Sequence, residues 1–316
     1  MMRRYLLCAA ILVCLLAGSC LGAQTSTSGK PEVKARRVGV LLLAHGGRLL
    51  SWNEEVHHVA DQVDLKIPTE IALGMATRSS IQGGIDRLTA RGVTEIVAVP
   101  LFVSSHSSVI DSTAYLLGLR PTAPEELEMF ASMDHGGGMT MDHGTTTHDG
   151  TSTGEASKPI RSSVPIRMTP ALDHHALVAS ILKERAATIS QDAKREVVIL
   201  VAHGPVPDDE NVLWLQDMKI LADKIQGETQ YAGIEFLTLR DDADDKVRDL
   251  ATKDLRHRVE QVNLSQKTAL VVPLLLSYGG IEDGLRERLH GLEYRIPSQG
   301  LLPDGRIVEW VIASAK

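Results

Sequence analysis

The run Val40-Leu41-Leu42-Leu43-Ala44-His45-Gly46 recurs, slightly altered, as Val198-Ile199-Leu200-Val201-Ala202-His203-Gly204. Each is a continuous Val/Leu/Ile stretch that stops abruptly at Ala-His-Gly. An unbroken apolar run bounded by glycine predicts a strand buried on both faces, as in a parallel sheet covered by helices. The repetition constrains the fold more than any other feature, because it marks an internal duplication. It also sets a histidine just past the carboxyl end of a central strand in each half. In open α/β sheets that edge is where ligands bind. A lone strand-end histidine is more often structural; two in the same local frame point to a site.

A second pair of segments repeats in step with the first: Val99-Pro100-Leu101-Phe102-Val103-Ser104-Ser105-His106 aligns with Val272-Pro273-Leu274-Leu275-Leu276-Ser277-Tyr278-Gly279. Around these, apolar spacing predicts strands at 37–44, 70–75 and 95–103, helices at 51–65, 79–91 and 109–117, a fourth strand at 164–168 and a helix at 173–188. The second half predicts strands at 196–202, 233–239 and 269–276, helices at 211–226, 244–262 and 281–289, and a final element at 305–313. Strands alternating with helices at this rhythm mean parallel sheets with helices on both faces, and right-handed crossovers leave only a few doubly wound topologies. The expected fold is α/β: two flavodoxin-like lobes, residues 37–190 and 194–316, related by duplication and facing each other across a cleft. The first lobe carries an insert over 120–163.

All three cysteines, Cys8, Cys14 and Cys20, lie in a leader of Arg3-Arg4, an apolar stretch and then small residues. The pattern is that of a secretory signal peptide over residues 1–23, followed by a flexible tether over 24–36. The expected location is therefore exported, periplasmic or secreted. Leu16-Ala17-Gly18-Ser19-Cys20 loosely resembles a lipobox, so a lipid anchor at Cys20 stays open. Without the leader the chain has no cysteine, which excludes disulfides, thiolate ligands and iron–sulfur clusters. A net charge of −7 with no dense basic run, and only 3% aromatics, argue against a nucleic-acid surface.

In a flavodoxin-like order the first and third strands are neighbours, about 4.8 Å apart. His45 and His106, each just past a strand end, can then converge on one metal ion. The second half offers His203, but Gly279 stands where His106 would be, with the carboxylate of Glu282 close behind.

On the motifs Leu42-Leu43-Ala44-His45-Gly46 with Pro100-Leu101-Phe102-Val103-Ser104-Ser105-His106, and Ala202-His203-Gly204 with Pro273-Leu274-Leu275-Leu276-Ser277, the chain resembles the class II tetrapyrrole chelatases. It is similar to the sirohydrochlorin cobaltochelatase (CbiX) family and its ferrochelatase-like relatives, in the long form with two fused halves. The resemblance covers residues 37–120 and 160–313. It implies insertion of a divalent metal (Co, Ni, Fe or Zn) into a tetrapyrrole such as sirohydrochlorin, a lyase-type reaction with no organic cofactor. It implies that His45 and His106 are the metal-binding and proton-accepting pair. His203 matches the first of them in the second half, and Glu282 falls near an active-site glutamate of the ferrochelatase pattern. Arg78 and Arg240, after the second strand of each half, are candidates for pairing with substrate carboxylates; ordinary surface arginines are the alternative. A non-catalytic carrier of metal or tetrapyrrole with the same fold is the alternative function. A metal-binding protein serving a transporter fits less well, since its ligands need not occupy matching places in two lobes.

The insert contains Met-Asp-His twice, and Met133, His135, Met139, Met141, His143 and His148 are candidates for an auxiliary metal-collecting loop. A solvated low-complexity insertion is the alternative. The pairs His57-His58 and His174-His175 read as exposed polar faces. Asp241-Asp242-Ala243-Asp244-Asp245 lacks calcium-loop spacing and reads as negative charge at a helix start.

Overall fold

The computed structural model describes residues 35–47, 49–134 and 153–316, and residues 35–316 form one compact unit. The first half contains β1 (Val38–Ala44), α1 (Leu50–Asp64), β2 (Thr69–Leu73), α2 (Arg78–Ala90), β3 (Glu95–Pro100), α3 (Ser108–Leu116), α4 (Leu127–Asp134), α5 (Thr153–Ala156), β4 (Ile166–Met168) and α6 (Ala176–Ile189). The second contains β5 (Glu196–Ala202), α7 (Asp208–Glu228), β6 (Gly233–Thr238), α8 (Asp245–Leu264), β7 (Thr268–Leu274), α9 (Ile281–Arg288), β8 (Tyr294–Arg295) and α10 (Gly305–Ser314). The final element, 305–313 in the sequence, is thus a helix. Among the described residues no helix is long and apolar enough to cross a membrane.

Two parallel sheets result, ordered β2-β1-β3-β4 and β6-β5-β7-β8. The duplication holds in register as well as in order: Leu43 pairs with Pro100 in one sheet, and Val201 with Pro273 in the other. Proline inside a central strand needs an explanation, since it cannot donate to the ladder. Alternate residues of β3 face β4, and the pairing with β4 ends at Ala98. Pro100 therefore faces the side that β4 no longer covers, and no hydrogen bond is lost. Pro273 stands likewise beyond the last β7–β8 pair, Leu270 with Arg295.

Because successive strand residues point to opposite faces, each sheet feeds two cores. Leu41, Leu43, Ile96 and Ala98 pack outward with Ile81, Ile85 and Leu88 of α2. Val197, Ile199, Val201 and Val271 pack outward with Leu255 and Val259 of α8. The inner faces of both sheets, including Val40, Leu42, Val198 and Leu200, belong to one continuous core filled by α1, α6, α7 and α10. The two lobes therefore share a packed core between their sheets.

The central helices are exchanged. The last helix of the first half, α6, packs against α7 and β7, while the last helix of the second half, α10, packs against α1. The same arginine of each repeat secures the exchange. Arg167 of β4 donates to the carbonyls of Ser314 and Ala315 at the end of α10, at 3.4 and 3.0 Å. Arg295 of β8 donates to the carbonyl of Ile189 at the end of α6. A cation at a helix carboxyl end also complements the macrodipole. Arg167→Ala is expected to lower unfolding free energy by about 1–2 kcal/mol, measurable by urea denaturation.

The flanks of the insert are packed against the first sheet. Leu127 and Phe130 of α4 are buried in the outer core of the first sheet, and Ile160 and Val164 pack against it. Gln82 of α2 holds the returning strand through both the N–H and the carbonyl of Arg161, each at 2.8 Å. His135, Met139, Met141, His143 and His148, and the side chain of Met133, lie outside the described residues, as do residues 1–34.

Candidate active site

In each half the carboxyl ends of the four parallel strands form one rim, and the Ala-His-Gly turn sits on it. The turn requires glycine: Gly46 and Gly204 have φ of +84° and +77°, and a Cβ on Gly204 would come within 2.6 Å of Thr238. Among the described residues, three of the four non-glycine residues with left-handed φ, Ala76, Asp173 and Arg240, also follow strands at these rims. Backbone strain of this kind collects where function overrides local preference.

The two turns set their histidines in the same way. His45 Nδ1 lies 2.7 Å from the carbonyl of Gly46, and His203 Nδ1 lies 2.9 Å from that of Gly204. A carbonyl only accepts, so Nδ1 carries the proton in each of these contacts, and in a neutral ring Nε2 is the free acceptor. His203 Nε2 lies 3.4 Å from Asp242.

His106 is held by a loop that is clamped from three sides. Asp173 accepts from the N–H of Ser105 at 2.5 Å and from its hydroxyl at 2.8 Å. The His106 N–H donates to Ser104 at 3.1 Å, and the His106 carbonyl accepts from Trp214 Nε1 at 2.6 Å. The role of Asp173 explains why α6 begins at Ala176 rather than at 173: its side chain serves the β3 loop, and His175 caps the helix instead. Trp214 belongs to α7 of the other half. Its converse is Trp52 of α1, which packs on Gly279, the residue in the place of His106. A Cβ on Gly279 would lie 3.2 Å from Trp52 Cδ1, so the second half has little room for a histidine there.

His45 and His106 thus share the rim of one sheet, as β1–β3 pairing requires, but they take different partners. His106 Nε2 faces Asp217 Oδ2 of α7 at 3.6 Å, and Asp217 Oδ1 is bonded to His174 Nδ1 at 2.6 Å. Among the described residues no group of three or more His, Cys, Asp or Glu is placed to hold a metal. Sequence reasoning missed Asp217; His174 is exposed, as its reading on a polar face expects, but its Nδ1 also bonds Asp217. The available signal was an acidic residue on the apolar stripe of α7, three positions after Trp214 and directly before Met218.

The remaining candidates have structural partners. Glu282 is buried and accepts from the N–H groups of Gly279 and Gly280 at 3.1 and 3.0 Å, bracing the loop that replaces a histidine with glycine. Arg240 donates to the carbonyls of Pro205 and Val206 and to Asp208, which shapes the turn after His203. Arg78 donates to the carbonyl of Lys158 at 2.8 Å and pairs with Glu155. The register pairs Ala44 with Leu73 and Ala202 with Thr238, so the two arginines do not occupy equivalent positions: the counterpart of Arg240 is Met75. Arg78 lines a groove of about 680 Å³ between α2 and residues 155–163, on the outer layer and away from the histidines. Asp244 caps α8 through the N–H of Val247, as its place in the acidic run predicts.

Where α7 starts, burial raises the carboxyl of Glu210 above its ordinary value of 4.5, and Glu126, Asp209 and Asp111 add to the effect. Folding therefore favours the neutral acid, and stability is lost as pH rises above about 4.5. Glu210→Gln is expected to raise Tm by about 1–2 °C at pH 7 and to leave it unchanged near pH 4. An equal gain at both pH values would contradict this account.

This duplicated, doubly wound α/β fold is similar to that of solved chelatases. SirB from Bacillus subtilis with Fe³⁺ is similar in structure, with a TM-score of 0.57 and 16% identity, covering 88% of this chain and 96% of that one. The sirohydrochlorin chelatase SirB from Bacillus subtilis subspecies spizizenii in complex with cobalt gives 0.54 and 15%, covering 89% and 94%. At these identities the likeness is one of fold. The sirohydrochlorin cobaltochelatase of Methanothermobacter thermautotrophicus is 32% identical over 85 residues, 26% of this chain and 59% of that protein. This chain therefore spans about three-fifths of that relative's length. The CbiX family model matches residues 39–189. The matched stretch holds both His45 and His106.

Proposed function

We propose that this protein is an exported metal chelatase that inserts a divalent ion into a tetrapyrrole of the sirohydrochlorin type. The observation that carries the reading is the placement of His45 and His106 on one sheet rim, within the half that matches the CbiX family. Insertion needs an ion held by few protein ligands, so that pyrrole nitrogens can displace them. It also needs a base for two N–H protons. The neutral form of His45, with Nδ1 turned to the Gly46 carbonyl, offers Nε2 for either task, and an imidazole released by a departing ion can take a proton near neutral pH. Nitrogen ligands of this kind accept Co, Ni, Fe or Zn. The relatives named for iron and cobalt are consistent with that range.

His203, on the rim of the second half, is proposed as an accessory ligand, with Glu282 holding the loop beside it. Purified protein mixed with sirohydrochlorin and Co²⁺ is expected to change the macrocycle's absorbance faster than the protein-free mixture, over many turnovers. Binding of one tetrapyrrole per chain without turnover would instead identify a carrier.

A further inference from the structure

One buried carboxylate near the rim has no part in the reading above. Asp217 is only 8% exposed, lying on α7 among Trp214, Met218 and Leu221. His174 holds its Oδ1 at 2.6 Å, while Oδ2 is buried and takes no hydrogen bond. His106 Nε2 stands 3.6 Å from that oxygen. The separation exceeds that of a hydrogen bond, for which N···O is about 2.7–3.2 Å. It is close to the roughly 3.4 Å between a nitrogen and an oxygen ligand on one tetrahedral ion with bonds of about 2.1 Å.

We propose that Asp217 is a protein ligand of the metal ion held at His106, supplied by the second half of the chain to the rim of the first. The proposal rests on the reading of His106 as a metal-contacting residue. His174 is then the positioning group: ligating carboxylates are held by hydrogen bonds to their other oxygen, and such partners sharpen affinity. The expected cargo is a borderline divalent cation, for which an imidazole–carboxylate pair is a suitable donor set. The arrangement is braced on both sides. Trp214, one turn before Asp217 on α7, donates to the His106 carbonyl, and Asp173, next to His174, clamps Ser105. A void of about 10 Å³ beside Asp217 has room for no more than one water.

The test is Co²⁺ titration of the full chain without tetrapyrrole, followed by the visible d–d absorption. His135, His143 and His148 are replaced by alanine throughout, so that no imidazole of the insert contributes. Asp217→Asn is expected to weaken Co²⁺ at least about tenfold and to change the band. His174→Ala should weaken binding less and keep the band, and Asp217→Glu, which retains a carboxylate, should keep part of the affinity. In the double variant, Asp217→Asn should add nothing to the loss from His106→Ala, because both residues serve one ion. Unchanged affinity in Asp217→Asn, or losses that add, would overturn the proposal, as would a parent chain that binds no Co²⁺. A chain that binds Co²⁺ through Asp217 but never turns over would leave this site standing and remove the chelatase reading. Normal insertion by Asp217→Asn with unchanged Co²⁺ binding would do the reverse.

Discussion

Residues 35–190, expressed without the rest of the chain, are expected to give no folded monomer. They contain a complete sheet and all the helices that the sequence assigns to the first lobe, but two of its surfaces depend on the other half. Removal of α10 uncovers α1, whose Val56, Val59 and Val63 share the central core with Ile307 and Val311. Removal of the second sheet strips α6, whose Val178, Ile181 and Leu182 are buried against α7 and β7. Each such side chain returned to water costs about 1.5–3 kcal/mol. Four or five of them match the whole stability of an ordinary domain, about 5–15 kcal/mol. The duplication adds a second expectation. A folded form of the fragment, where one is found, is a dimer in which the two copies exchange α6, so its folding depends on concentration. Circular dichroism and sedimentation at low micromolar concentration check both statements. A folded monomer would show that the shared core is not required. For the full chain, a single denaturation transition follows from the same packing.

His106→Ala and His45→Ala are each expected to slow metal insertion by about 10²-fold or more, the usual scale for loss of a positioned acid–base group. The effect of His106 should be the larger. Its loop is braced from three sides, with Asp173, Ser104 and Trp214 all spent on its backbone or its neighbour. Such bracing is costly for a loop with no task, and it preorganises one whose ring must meet an ion. The ring is 37% exposed, so alanine there leaves no large cavity and the fold should persist. His57→Ala, on the exposed face of α1, is the control and should retain the parent rate. Loss of activity in all three variants would point to instability rather than chemistry; retention in His106→Ala would remove that residue from the mechanism.

Much of this protein is determined locally and was therefore legible in the residues. The Val/Leu/Ile runs specify buried parallel strands, Ala-His-Gly specifies a left-handed turn at the strand end, and the two copies specify two sheets of one topology. The strand-end placement of His45, His106 and His203 follows from those runs alone. Chain order, however, says nothing about which half a terminal helix will cover. The exchange of α6 and α10, and with it the packed core shared by the two lobes, is decided by which apolar faces meet. The partners of His106 are decided in the same way: Asp217 and Trp214 lie more than a hundred positions away, and only the docking of α7 on the first half brings them to its loop. Arg78 and Arg240 looked alike in sequence because each follows a second strand, yet pairing register separates them. Periodicity is a property of neighbours along the chain, whereas a site assembled from both halves depends on long-range burial, which no local pattern encodes.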